Sequence, residues 1–183
     1  MKASGSAVFI DFFTIVIYAA ILVGAGLHIA LDKHQDARTP RRIVELFLLY
    51  FFVIGVGFQG VYAFVGHTLF ANETAKQIGW PAGNPFQFEV AIADLTIGVL
   101  GILCIWIREN FWYATGIANA VWVFGVSYGH VYQAVVNGNY SPDNLGLLFF
   151  STLLLAIILL GLLVAYRALS QRARASVREP ASL

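Results

Sequence analysis

The sequence predicts an all-α, polytopic membrane bundle of five transmembrane helices, with the N-terminus outside and the C-terminus in the cytoplasm. Three observations lead there. Hydrophobic residues make up 59% of the 183-residue chain and charged residues 11%, whereas about a quarter of the residues of a soluble domain are charged. Five apolar stretches, at about 7–31, 43–71, 85–107, 111–136 and 145–168, each reach the ~20 residues that carry a helix across a bilayer. Of the 11 Lys and Arg residues, nine (Lys33, Arg38, Arg41, Arg42, Arg108, Arg167, Arg172, Arg174 and Arg178) fall on one side of this threading and two, Lys2 and Lys76, on the other. Cytoplasmic flanks collect cations, which sets the orientation.

The first stretch, from Ala7 to Leu31, is too long for a signal-peptide core and has no small-residue cleavage site followed by a polar region, so it reads as a helix. The second follows the polar loop DKHQDARTPRR. It carries Gly55, Gly57, Gly60 and Gly66, which allow helices to approach closely, together with Gln59, Tyr62 and His67. Ahead of the third, Trp80-Pro81-Ala82-Gly83-Asn84-Pro85 is a helix-start signal, with Asn84 able to cap and proline suited to the first turn. The third itself contains PFQFEVAIADL, with Glu89 and Asp94 inside a lipid-compatible run. After the turn Arg108-Glu109-Asn110 comes the fourth, where Asn119, Ser127, His130 and Gln133 form a polar stripe at helical spacing. The fifth leads into a basic cytoplasmic tail over 169–183, suited to headgroup contact. Trp80, Trp106, Trp112 and Tyr140 fall near span ends, as interfacial aromatics do. Residues 1–168 therefore make a single transmembrane domain.

Several function classes drop out. A formal charge of +1 gives no footprint for nucleic acid. A lone cysteine, Cys104, excludes an intramolecular disulfide and cysteine-based metal sites. No P-loop occurs, and the G-x-G-x-x-G spacing at Gly55-Val56-Gly57-Phe58-Gln59-Gly60 and the G-x-S-x-G spacing at Gly125-Val126-Ser127-Tyr128-Gly129 fall inside apolar helical runs, without the preceding strand that either motif requires. The expected partners are the lipid bilayer and either other membrane proteins or further copies of this chain, and the expected location is a bacterial inner (cytoplasmic) membrane.

At ~1.5 Å per helical residue, the threading fixes the depth of each polar side chain. His67, Glu89 and His130 share a layer near the outer face. Asp11 lies near that level, Asp94 is about a turn deeper, and His28 and His34 lie toward the cytoplasm. An aspartate at a helix centre costs ~2.5–3.5 kcal/mol on insertion scales, so such groups face the bundle interior and find partners. Glu89 and Asp94 are five residues apart, ~140° around the helix. Depth favours Glu89 for the shared site, leaving Asp94 as a further ligand or a supporting contact. The sharpest expectation is a metal site of His67, Glu89 and His130, with Asp94 or Asp11 added, holding Zn, Fe or Mn. Three alternatives stand beside it: a haem with His67 and His130 as axial ligands, an ion or small ligand bound without a metal, and an accessory subunit whose polar cluster only locks helices together. No HExxH motif accompanies the residues, and whether anything reacts there is left open.

The run Ile78-Gly79-Trp80-Pro81 through Pro85-Phe86-Gln87-Phe88-Glu89, with Ala93-Asp94-Leu95, Gly66-His67 and Gly129-His130, resembles a family of uncharacterised bacterial integral membrane proteins. The likeness covers about Glu45 to Gln133. It implies recurrence of the His67, Glu89, Asp94 and His130 pattern and supplies no reaction.

Overall fold

The structure, a computed structural model, describes residues 5–34, 36 and 38–178, with side chains between Phe12 and Ser176. Among the described residues all regular structure is helical: α1 (Gly5–Leu31), α2 (Pro40–Tyr50), a π-helical stretch (Phe51–Phe58), α3 (Gln59–Leu69), α4 (Ala71–Ile78), α5 (Phe86–Leu103), α6 (Asn110–Asn137), α7 (Pro142–Leu145) and α8 (Leu147–Arg178). Four rods are long and apolar enough to cross a membrane: Phe12–Leu31, Pro40–Leu69, Phe86–Leu103 and Pro142–Ser176. The expected fourth span is the exception. α6 is a helix of 28 residues without an Asp, Glu, Lys or Arg. Its polar stripe and its Trp and Tyr residues keep its mean hydropathy below that of the other four.

Local chemistry sets the boundaries. The second rod starts at Pro40 because Thr39 caps it: its Oγ1 accepts from the Arg42 amide at 3.3 Å, and the proline occupies the first turn, where no amide is needed. α5 opens where Asn84 Oδ1 accepts from the Phe86 amide at 3.0 Å. Two expected loops turn out to be helical. α4 folds within NETAKQIGWPAGN and stops at Gly79, whose φ of 82° is the left-handed conformation that glycine adopts without penalty. The expected tail also continues α8 through Arg178, since Ala, Leu, Gln and Arg are strong helix formers.

The π-helical stretch and the start of α3 meet α5 backbone to backbone. A β-carbon on Gly60 would lie 2.6 Å from the Asp94 carbonyl oxygen, and one on Gly101 would lie 2.6 Å from the Gly57 nitrogen. Two glycines on each side, Gly57 and Gly60 against Gly98 and Gly101, therefore bring the rods as near as helices come. α6 pairs with α8, and α1 and α8 pack on α2. Phe52, Ile21, Leu48, Leu155, Leu159 and Trp112 fill the shared core and are at most 2% exposed. Beside it an ion network joins three segments: Arg42 donates to Asp32 at 2.7 Å and to Glu45 at 3.1 Å, and Arg108 also donates to Glu45.

Candidate functional site

Where the C-terminal half of the second rod meets α5, α6, α7 and α8, the bundle forms a cavity of about 230 Å³. α3 supplies His67, α5 Asp94, α6 Asn119 and His130, and α7 Asp143. Apolar side chains, among them Phe149 and Leu155 of α8, complete the wall.

The contribution of α5 follows from its inner stripe. Gln87, Ala91, Gly98 and Gly101 are buried, and Asp94 falls between them, so the spacing runs four, three, four, three, the period of one helix face. Glu89 lies two residues from Gln87, about 200° around, and is exposed. The expected grouping of His67, Glu89, His130 and Asp94 is therefore corrected: the structure brings His67, His130 and Asp94 to one cavity and turns Glu89 away. Depth alone had favoured Glu89; azimuth excludes it. The Asp11 side chain lies outside the described residues.

Gln87 takes the place beside His67. It is 2% exposed, its Nε2 donates to the Ala71 carbonyl, and its Oε1 lies 2.8 Å from His67 Nδ1. Because the amide nitrogen is committed to a carbonyl, the oxygen must face the ring, and an oxygen of that kind only accepts. His67 Nδ1 therefore carries a hydrogen. His130 is built the same way. Asn144, fully buried, donates through Nδ2 to the carbonyls of His130 at 3.1 Å and Asn139 at 2.7 Å, and its Oδ1 accepts from His130 Nδ1 at 2.7 Å. The hydrogen-bond network thus places a hydrogen on Nδ1 of both histidines.

The remaining polar residues divide into satisfied and unsatisfied groups. Asp94 Oδ1 accepts from Trp122 Nε1 at 2.9 Å, and Gln59 Nε2 donates to Thr152 Oγ1 at 3.0 Å. Asn119 is 5% exposed, yet its Nδ2 has no hydrogen-bond partner in the protein. Ser127 lines the cavity, but Gln133 is bonded to Asn137 instead, so the expected stripe on α6 splits. His28 and His34 sit apart, near Tyr50 and Asp32, as their depth implied. The residues missed in the sequence are Gln87, Trp122, Asp143 and Asn144. Gln87 had a legible signal in the small-residue stripe of α5; Asn144, in the loop after α6, had none.

Among the described residues no group of three or more His, Cys, Asp or Glu is placed to hold a metal ion. Pockets for drug-sized ligands run to about 300–1,000 Å³, and this cavity of about 230 Å³ is smaller. What the arrangement offers is two imidazoles held in place at Nδ1, with the side chains of Asp94 and Asn119 in the same wall. Among the described residues lining the cavity there is no Lys or Arg.

A family model described as "Family of unknown function (DUF6790)" matches residues 11–172. No curated protein and no solved structure matches the chain.

Proposed function

The chain belongs to this family of unknown function, and from the geometry of the cavity we propose that it is an integral membrane protein that binds a small polar ligand between His67, Asp94, Asn119 and His130. The observation that carries the reading is the convergence of His67 from α3, Asp94 from α5 and Asn119 and His130 from α6 on one cavity. Buried amides clamp the Nδ1 atoms of both histidines, and a clamp of this kind fixes where Nε2 points.

In this reading the bundle has five crossings. α6 is the fifth, at ~1.5 Å per residue over 28 residues, and its polar groups are tolerated because several face the cavity. The cation distribution supports an N-terminus outside and a cytoplasmic C-terminus, which puts the cavity toward the outer face.

The competing reading is a structural subunit whose polar cluster ties helices together. Asn119→Leu, nearly equal in volume, separates the two. If the amide is there for a ligand, the variant unfolds at a higher temperature in detergent and loses ligand binding, the familiar exchange of stability against function. A lower unfolding temperature would mean that Asn119 is a structural tie and would sink the binding site.

A further inference from the structure

We propose that the ligand is a small uncharged polyol, of the size of glycerol; this rests on the binding reading above. Accessibility argues first. Among the described residues, the buried side-chain N and O atoms left without a hydrogen bond are Thr115 Oγ1 and Asn119 Nδ2, and both are sealed in the packing. The polar groups that a ligand can reach are therefore others. Gln59 Nε2 donates to Thr152 and Asp94 Oδ1 accepts from Trp122, which leaves Gln59 Oε1 and Asp94 Oδ2. Tyr62 and Ser127 each bring a hydroxyl to the lining, and His67 and His130, held at Nδ1 by Gln87 and Asn144, each bring Nε2. Among the described residues these six atoms have no hydrogen bond and are not among the sealed ones, so each is open. They come from α3, α5 and α6, three sides of one cavity.

The chemistry of the six selects the ligand. Both hydroxyls donate and accept, Gln59 Oε1 and Asp94 Oδ2 accept, and each Nε2 accepts in a neutral ring and donates in a charged one. A ligand hydroxyl, with one donor and two acceptor sites, meets every one of them. An ammonium only donates, and would leave the hydrogens of Tyr62 and Ser127 unpaired. An anion would face the Asp94 carboxylate with no Lys or Arg in the lining among the described residues. Asp143 has a partner of its own, so the charge open to a ligand is that of Asp94. A neutral amide donates and accepts within a single plane, whereas hydroxyls on successive tetrahedral carbons point toward three helices at once. Two neighbouring hydroxyls can also donate to one carboxylate, which gives Asp94 the partners that an acid inside an apolar bundle needs. The C–H faces of a polyol suit the apolar wall of Phe149 and Leu155, and a cavity of about 230 Å³ limits it to a handful of heavy atoms. The same chemistry occurs in free glycerol and in the terminal glycerol of a lipid headgroup.

The test follows tryptophan fluorescence of the whole chain, since Trp122 bonds to Asp94 and Trp80 lies 6.2 Å from the His67 ring. Purification uses an amine-oxide detergent and no glycerol, because sugar headgroups carry the same hydroxyls. Glycerol, ethylene glycol, ethanolamine, glycerate and acetamide are titrated separately, to roughly 10 mM and above, where sites of millimolar affinity fill. Expected is a saturable response to glycerol, one at least about tenfold weaker to ethylene glycol, which is one hydroxyl short, and none to the other three. Ser127→Ala should weaken glycerol about tenfold and leave the unfolding temperature unchanged or slightly raised, because the lost hydroxyl has no partner among the described residues. Ala63→Leu, which fills the cavity without touching its polar groups, should abolish the response. Wild-type affinity for glycerol in both variants would overturn the assignment to this cavity. Saturation by ethanolamine, glycerate or acetamide at concentrations as low as glycerol's would end the polyol class and leave the binding site standing. If no probe saturates, the polyol class falls, and a destabilised Asn119→Leu would take the site with it. Loss of the glycerol response in nanodiscs of phosphatidylglycerol, with retention in phosphatidylcholine, would assign the site to the glycerol end of a lipid; retention in both would assign it to the free polyol.

Discussion

His67 and Gln87, twenty residues apart in the chain, meet at 2.8 Å, and that one contact decides which face of α5 belongs to the cavity. Gln87→Leu removes the acceptor of the His67 Nδ1 hydrogen and the donor to the Ala71 carbonyl together. The expected outcome is a loss of about 1–3 kcal/mol, the cost of leaving buried polar groups unpaired, read as a lower unfolding temperature in detergent. Glu89→Gln, on the outward face, should stay within about 0.5 kcal/mol of wild type. A larger effect at Glu89 than at Gln87 would contradict the assigned azimuth.

Glycines give a contrast of their own. Gly98→Val would drive a side chain into Gly57 and Gly60 of the facing rod, where a β-carbon already meets backbone at 3.0 Å. It should abolish folding or shift the unfolding temperature strongly downward. Gly125→Ala and Gly129→Ala meet nothing within 4 Å and should be neutral or stabilise by up to about 1 kcal/mol through backbone entropy. Measuring the three variants side by side in one detergent removes differences of solubilisation.

At the other end of the bundle, the hydrogen bond from Arg42 holds the Asp32 carboxyl below its usual range, helped by the His34 amide. A depressed folded-state pKa means stability that is present above the ordinary carboxylate value and lost as pH falls through the folded value. Wild-type unfolding temperature should therefore decline on acidification below about pH 4. Asp32→Asn should flatten that part of the profile while lowering stability at neutral pH.

Threading is tested with single cysteines in a Cys104→Ala background. Lys76→Cys, on α4, should react with a membrane-impermeant maleimide added outside intact cells. Arg174→Cys, near the end of α8, should react only after permeabilisation. The reverse pattern would invert the orientation, and labelling of both from one side would remove α6 as a crossing.

How much of this was legible in the sequence depended on whether the signal was one-dimensional. Helical class and the apolar rods follow from composition and run length, which need no partner to be read. Grouping His67 with His130 followed from depth, because rise per residue is fixed. Choosing between Glu89 and Gln87 required the azimuth of α5, and the information was present in Ala91, Gly98 and Gly101, whose spacing marks the packed face. Asn144 and Asp143 were not readable, since a four-residue helix after a loop has no periodicity and its position comes from contacts with α6 and α8. The π-helical stretch was equally silent: its Gly57 packs on Gly101 and Ile102 of α5 while its Gly55 meets Leu155 and Ile21, so its surroundings come from three neighbouring helices and not from its own sequence alone.

The glycine seam between the second rod and α5 also bears on mechanics. With no side chains between them to flex, the two backbones have no compliant layer, and sliding either one would push peptide groups into each other. His67 and Asp94 are therefore carried on a common stiff frame.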